Sequence, residues 1–451
     1  MKTTWHETTL GKLVDFQSGG TPSKGNPEFW NGSIPWVSAK DMKQLFLDDT
    51  EDHITTAAAD DGAKQVPSGT VLMLTRGMTL LNDVPICIVR KSMSFNQDVK
   101  ALRPKGDLDS RFLPYLLLGN KHRLLSMVDL AGHGTGRLNT EELKTLDMKL
   151  PPLREQQAIA CILGALDDKI ELNRRRNRTL EAMARAIFQS WFVDFDPVKA
   201  KAAVRREHPR WTNAQVSRAA CPKLKPEIAE LFPDRFEDSP LGPIPAGWRV
   251  GTVGDIVTLS RDAILPGDYA DEVFDHYSIP AYDAGQNPLP ESGSTIKSQK
   301  FIVTDDCVLV SKLNPKTPRV WIPAVDKARR RIASTEFLVC RPKASSGLGR
   351  AYFYCLACDK TFSEHLTSRA SGTSNSHQRV RPQDFLSYEI PLPAAKLASA
   401  FNDKVEPVLD RVLLVKSESR TLAALRDALL PKLISGELRV PDAERIVGRA
   451  V

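Results

Sequence analysis

Apolar residues recur at alternating steps of four and three through Ile159, Leu163, Leu166, Ile170, Asn173, Asn177, Leu180, Ala184 and Ile187. That spacing is the seam of a coiled coil. The frame returns 242 residues later at Phe401, Val405, Val408, Val412, Val415, Ser419, Leu422, Arg426 and Leu429. Local wording repeats with it: Arg178-Thr179-Leu180 matches Arg420-Thr421-Leu422, and Asp168 matches Asp410. The pattern predicts two long helices that are copies of one another. Pro151-Pro152 opens the first, with Glu155 in its first turn, where the helix dipole favours an acid. The second is expected to stop before Pro431, which lacks an N–H to continue it.

The duplication extends beyond the helices. Trp5-(x4)-Leu10-Gly11-Lys12-Leu13 returns as Trp248-(x4)-Val253-Gly254-Asp255-Ile256, and Val71–Arg76 returns as Cys307–Lys312. Asn96-Gln97-Asp98 before Arg103-Pro104 parallels Ser334-Thr335-Glu336 before Arg341-Pro342. The order never changes, which is the mark of a duplicated domain and not of a short solenoid repeat. Within each half, Val71–Leu74, Pro85–Val89, Val308–Val310 and Phe337–Val339 read as short buried strands. Phe112–Leu118 and Ala351–Leu356 read as helices beside them. The chain thus divides into an α/β domain (1–150), a long helix (151–193), a polar connector (194–247), a second α/β domain (248–393), a second long helix (394–430) and a tail (431–451). The connector is read as wandering chain without a core, because prolines punctuate it at 197, 209, 222, 233 and 240 to 245.

The two seams differ: Asn173 and Asn177 stand where the copy has Val415 and Ser419. This argues against parallel pairing with a second copy and for antiparallel pairing of the two helices inside one chain.

A length of 451 residues calls for two or three domains, and 41% hydrophobic with 26% charged residues is ordinary for a globular protein. No run reaches the ~18 apolar residues of a membrane span, and the N-terminus lacks a signal-peptide core. Seven scattered cysteines suit a reducing, cytoplasmic setting. The net charge of +7 permits a polyanionic partner without demonstrating one.

Chemistry is conspicuous by what the motifs lack. There is no G-x-x-x-x-G-K-[S/T] phosphate loop, no Asn/Asp-Pro-Pro-aromatic motif of an amino-methyltransferase, and no G-x-G-x-x-G after a strand. Cys355-x-x-Cys358 has neither a second pair nor nearby histidines, so a core helix accounts for it better than zinc. Glu142-x-Lys144 reads as a solvated helix start. No catalytic residue and no metal ligand is assigned. The polar loops are more informative. Gly132-His133-Gly134-Thr135-Gly136 in the first half and Ser371–Arg379 in the second occupy matching places. Amide, imidazole and guanidinium groups on such loops are the groups that read base edges. The candidate nucleic-acid contacts are Lys24, Lys40, Arg76, Thr79, Asn96, Gln97, His133, Thr135 and Arg137, then Lys312, Asn314, Lys316, Arg319, Asn375, His377, Gln378 and Arg379.

At this point the sequence resembles the specificity subunits of type I restriction–modification enzymes. The resemblance rests on Leu150-Pro-Pro-Leu-Arg-Glu-Gln-Gln157, Ser190-Trp-Phe-Val-Asp-Phe-Asp-Pro197 with Val198-Lys-Ala-Lys201, Leu231-Phe-Pro-Asp-Arg-Phe-Glu-Asp238 leading to Ile244-Pro-Ala-Gly-Trp248, and Leu430-Pro-Lys-Leu-Ile-Ser-Gly-Glu437. It implies two target-recognition domains, each reading one half of a bipartite, asymmetric sequence in double-stranded DNA. It implies that the antiparallel helices act as a spacer and dock two modification subunits, with Leu163, Leu166, Ile170, Asn173, Asn177, Leu180, Val405, Val408, Val412, Val415 and Leu422 as the spacer residues. S-adenosylmethionine, ATP and Mg are expected on partner subunits and none on this chain; a restriction subunit is a further, open partner. One departure stands out: Pro393-Ala394-Ala395-Lys396 lacks the Glu-Gln pair of the first helix, which implies weaker or different docking on that side. Twenty-nine helical residues span roughly 43 Å, more than the ~34–36 Å of one DNA turn. Two rival readings stay open, a coiled-coil assembly scaffold and a stand-alone DNA-binding regulator.

Overall fold

The computed structural model describes residues 5–131, 134–324, 329–372 and 378–448. Its contacts divide the chain into two units: residues 1–172 with 419–451, and residues 173–418. Each unit therefore holds one α/β domain and a part of both long helices.

In the first unit, Val71–Leu74 is buried at all four positions and lies inside a five-stranded sheet of order 14–18, 99–104, 71–74, 86–89 and 46–47. A continuous apolar run, not an alternating one, is what a strand covered on both faces requires. The helix Leu113–Gly119 buries Leu113, Tyr115, Leu116 and Leu117 in the same core. His6–Thr9 pairs antiparallel with Asp147–Leu150, which closes the domain just ahead of the long helix Leu153–Phe188. The second unit repeats this closure with Arg249–Thr252 against Glu389–Leu392, ahead of the helix Ala395–Ser435. Its central sheet runs 257–260, 337–342, 308–311 and 320–321, beside a five-stranded sheet containing 273–277 and 331–333. The strands and short helices expected from the sequence are present in both domains, as is the duplication.

Most seam positions are buried as the periodicity requires. Ile159, Leu163, Leu166 and Ile170 join the first core together with Leu422 and Leu429, while Phe401 and Val405 join the second. Leu180 and Val408 are only half-buried, and Leu409, next to Val408, is buried instead. Arg426, a cation at a seam position, is explained by its partner. Its Nη1 lies 2.6 Å from Oδ1 of the buried Asp167, whose Oδ2 accepts a hydrogen bond from Tyr115 at 3.0 Å. In the second unit the helices run antiparallel: Lys416 Nζ is 3.0 Å from Glu181 Oε1, and Phe188 packs edge-on against Phe401.

Two expectations need correction. The second helix does not stop before Pro431 but continues to Ser435. A proline inside a helix costs about 3 kcal/mol. Beyond it, however, Leu433 and Ile434 are buried, each worth roughly 1.5–3 kcal/mol, so packing outweighs the missing bond. Gly119 makes the room, since a Cβ there would lie 2.7 Å from the Ile434 side chain. The tail also folds, as the helix Val440–Val447 with Ala443 and Val447 in the first core.

The second correction concerns residues 194–247, which are not wandering chain. They form the helices Asp196–Glu207, Asn213–Ala220 and Pro226–Ala229. Pro197 and Pro226 stand in first turns, where a missing N–H costs nothing, so these prolines mark helix starts and not gaps. Val198 and Phe232 lie in the second core with Trp191, Phe192 and Trp248. Lys201 is wholly buried, its Nζ donating to Asn213 Oδ1 at 2.8 Å and to the carbonyls of Ala229 and Phe232.

Candidate nucleic-acid interface

In each domain one loop crossing gathers several of the candidate contacts. In the first, the Leu138 amide donates to the Thr75 carbonyl at 2.9 Å, and the Thr75 amide donates to the Asp98 carbonyl at 2.8 Å. In the second, Val380 donates to Lys312 at 2.9 Å, and Lys312 donates to Glu336 at 3.0 Å. The same crossing is thus built twice from backbone bonds, with different side chains placed on it.

In the first domain it extends into a three-stranded sheet of order 129–131, 135–137 and 76–77. Arg137 stands directly opposite Arg76 on one side and Asp129 on the other. Both arginines are exposed, and no ion pair holds either among the described residues. Like charges opposite one another on neighbouring strands are destabilising, and an anion lying across them removes the repulsion. Thr79 is exposed on the turn after Arg76. Met78 and Leu130 nearby are large exposed apolar side chains that the sequence reading did not single out; no periodicity flags a single apolar residue in a turn. His133 lies outside the described residues. Thr135 is half-buried on the central strand.

The remaining first-domain candidates lie elsewhere. Lys40 is held by Asp52 at 2.9 Å and Glu51 at 3.2 Å, and the Asp52 hydrogen bond raises its pKa. Asn96 is buried and accepts from the Asp98 amide at 3.1 Å, a turn-forming role. Gln97 is exposed and accepts from the Thr21 hydroxyl. Lys24 is exposed.

In the second domain, Arg379, Gln378, Lys312 and Asn314 come together. The Asn314 amide, in a residue with a positive φ of 50°, donates to the Gln378 carbonyl at 2.8 Å. The Arg379 guanidinium grips both oxygens of Glu336 at 3.0–3.2 Å, and this acid raises its pKa. Arg319 is taken up by Asp283, with bonds of 2.7 and 2.9 Å, and its side chain is only 11% exposed. Lys316 is exposed on the turn between them. Asn375 and His377 lie outside the described residues. The two domains therefore present different charge at one shared position: a bare arginine pair in the first, and an arginine neutralised by glutamate in the second.

Cys355 and Cys358 are placed as core. Both lie where the helix Arg350–Ala357 packs, and burial pushes the Cys358 thiol up to about 12. Among the described residues no group of three or more His, Cys, Asp or Glu side chains is placed to hold a metal ion. No helix among them is long and apolar enough to cross a membrane.

The Glu-Gln pair at the start of the first helix has intradomain work. Glu155 Oε2 accepts from the Trp5 indole at 3.1 Å. The buried Gln156 side chain accepts from the Asp109 amide at 2.9 Å and donates to the carbonyls of Asp107 and Pro151.

Residues 2–182 match the type I restriction modification DNA specificity domain. The chain is similar to type I restriction–modification specificity subunits. It is 25% identical to the type I restriction enzyme MjaIX specificity subunit of Methanocaldococcus jannaschii, over 97% of this chain and 94% of that one. The EcoR124I/EcoR124II specificity subunit of Escherichia coli is 31% identical over a shorter stretch, 35% of this chain and 40% of its own. The crystal structure of the type I S subunit from M. genitalium has the same fold, with a TM-score of 0.54 at 16% identity over 96% of both chains. The family resemblance drawn from the long helices and their flanking motifs is borne out, and with it the two-domain, two-helix fold.

Proposed function

We propose that this chain is the DNA-reading subunit of a type I restriction–modification complex and carries no chemistry of its own. Each α/β domain reads one half of a bipartite, asymmetric site. The paired helices set the distance between the halves and dock two modification subunits, which supply S-adenosylmethionine; a restriction subunit, where present, supplies ATP and Mg chemistry. The observation that supports this best is the loop crossing made twice from the same backbone bonds and decorated differently, with Arg76 and Arg137 on one and Arg379 with Glu336 on the other. One framework with two sets of side chains suits two half-sites of unlike sequence.

The test exchanges residues 1–150 for the equivalent domain of a relative, assembles the chain with its modification subunits, and maps methylated sites across a genome. One half-site is expected to be replaced and the other retained. If both half-sites change together, the two-reader proposal is wrong.

A further inference from the structure

The excess of basic over acidic residues in this chain is concentrated in one segment. Residues 197–225 hold eight of the 62 basic residues and one of the 55 acidic ones, so the rest of the chain carries 54 of each. The whole net charge of +7 equals that of these 29 residues. They span the hairpin of helices Asp196–Glu207 and Asn213–Ala220 except for Asp196, which brings the whole hairpin with its C-terminal flank to +6.

Two of the eight cations are used internally. Lys201 is buried on three acceptors, and Arg205 Nε bonds Asp234 at 2.7 Å. The other six, Lys199, Arg206, Arg210, Arg218, Lys223 and Lys225, are exposed and without an acidic partner among the described residues. Among the described residues no acid of the next segment forms an ion pair with them; Asp234 serves Arg205, and Glu237 pairs with Arg235. A merely solvated surface interleaves both signs. This one does not.

The tip of the hairpin is also built. Arg205 reaches the carbonyls of Pro209 and Trp211 as well as Asp234. Thr212 and Gln215 form a capping box that starts the second helix. His208 and Trp211 stack at 3.8 Å with their planes 5° apart, and Trp211 remains 36% exposed. The turn therefore holds a flat aromatic pair, with Arg210 next to Trp211 and Arg206 two residues before His208.

We infer that this hairpin is a third nucleic-acid contact, one that grips the phosphates of double-stranded DNA without reading sequence. The inference rests on the DNA-reading function proposed above. Protein interfaces need an apolar centre and are depleted in lysine, whereas Trp211 is the single large apolar side chain this hairpin exposes among the described residues. DNA interfaces are strongly positive and polar. The two helices and their turn thus add affinity and salt dependence, while the α/β domains carry the sequence preference.

The test combines Arg206→Gln, Arg210→Gln, Arg218→Gln and Lys223→Gln in the full chain assembled with its modification subunits. Binding to target and to unrelated duplex is measured over a range of salt. Affinity for both duplexes should fall by the same factor, about tenfold or more at ~0.1 M salt, and the slope of log K against log[salt] should shrink by up to about 3.5. The ratio between target and unrelated DNA should hold. Arg206→Lys with Arg210→Lys and Arg218→Lys should keep the wild-type slope, and all variants should melt with the wild type, since the substituted side chains are exposed. An unchanged slope in a wild-type-like discriminator overturns the hairpin contact and leaves the DNA-reading function standing. Loss of assembly with the modification subunits overturns it in favour of an acidic protein partner. A changed sequence preference overturns the sequence-independent role, and a wild-type complex that ignores DNA sequence overturns the DNA-reading function itself.

Discussion

His276 shows what burial does to a single side chain here. It lies on the strand Val273–Tyr277, 8% exposed, with Nδ1 3.1 Å from Glu291 Oε1 and with Nε2 buried and without a hydrogen-bond partner among the described residues. Burial lowers its pKa below the ordinary 6.5 against the opposing pull of Glu291, and Lys300 adds to the lowering. The folded chain therefore takes up this proton less readily than the unfolded chain. Above pH 6.5 both forms are neutral and His276 adds no pH dependence. As the pH falls through 6.5 and on through the lowered folded value, the unfolded chain protonates first and stability is lost, by at most about 1.4 kcal/mol per pH unit. Urea unfolding at pH 7.5 and pH 5.5 should show a smaller loss in His276→Gln than in the wild type, and equal losses would refute the assignment. This environment was not legible in the sequence, because His276 pairs with strand partners 13 and 56 residues away. The same holds for the candidate contacts. Arg76 and Arg137 stand exposed on paired strands and Thr79 on the turn after Arg76, but Arg319, Lys40 and Arg379 are engaged by Asp283, Asp52 and Glu336. Nothing local in the sequence marks those acids as partners.

Elements were more legible where one face decides their fate. The four-residue run Val71–Leu74 is a strand because both its faces are covered, and the alternating four-three seam is a helix because its stripe is. What misled was proline. Taken as a breaker, it fits neither Pro197 and Pro226, which open helices, nor Pro407 and Pro431, which lie within Ala395–Ser435. Local rules lose where tertiary packing supplies more than the missing hydrogen bond costs. Pro431 offers a direct check. Pro431→Ala restores an N–H facing the Asp427 carbonyl and removes the ring clash. Its side chain is exposed, so no packing is lost. The substitution should stabilise the chain by up to about 3 kcal/mol, read as a raised urea midpoint at unchanged m-value. A lower midpoint would mean that the ring itself is required at that turn.

At the scale of the whole molecule, the duplication was the most legible feature of all. A repeat of order and spacing survives where individual residues diverge, and the strand pairs 6–9 with 147–150 and 249–252 with 389–392 repeat the same closure. The proposed spacer role makes a demand that neither domain alone can meet. The Asp167–Arg426 pair in one unit and the Glu181–Lys416 pair in the other each tie the two helices at a fixed register. A change in one helix alone breaks that register, so the test must change both. Removing one heptad from matching turns of each helix keeps the seam in phase, since seven residues restore the four-three frame. Each helix then shortens by about 10 Å. Assembled with its modification subunits, the shortened chain should methylate sites with the same two half-sequences and a shorter gap between them. If the gap stayed fixed while a half-sequence changed, the helices would be part of the readers and not the spacer between them.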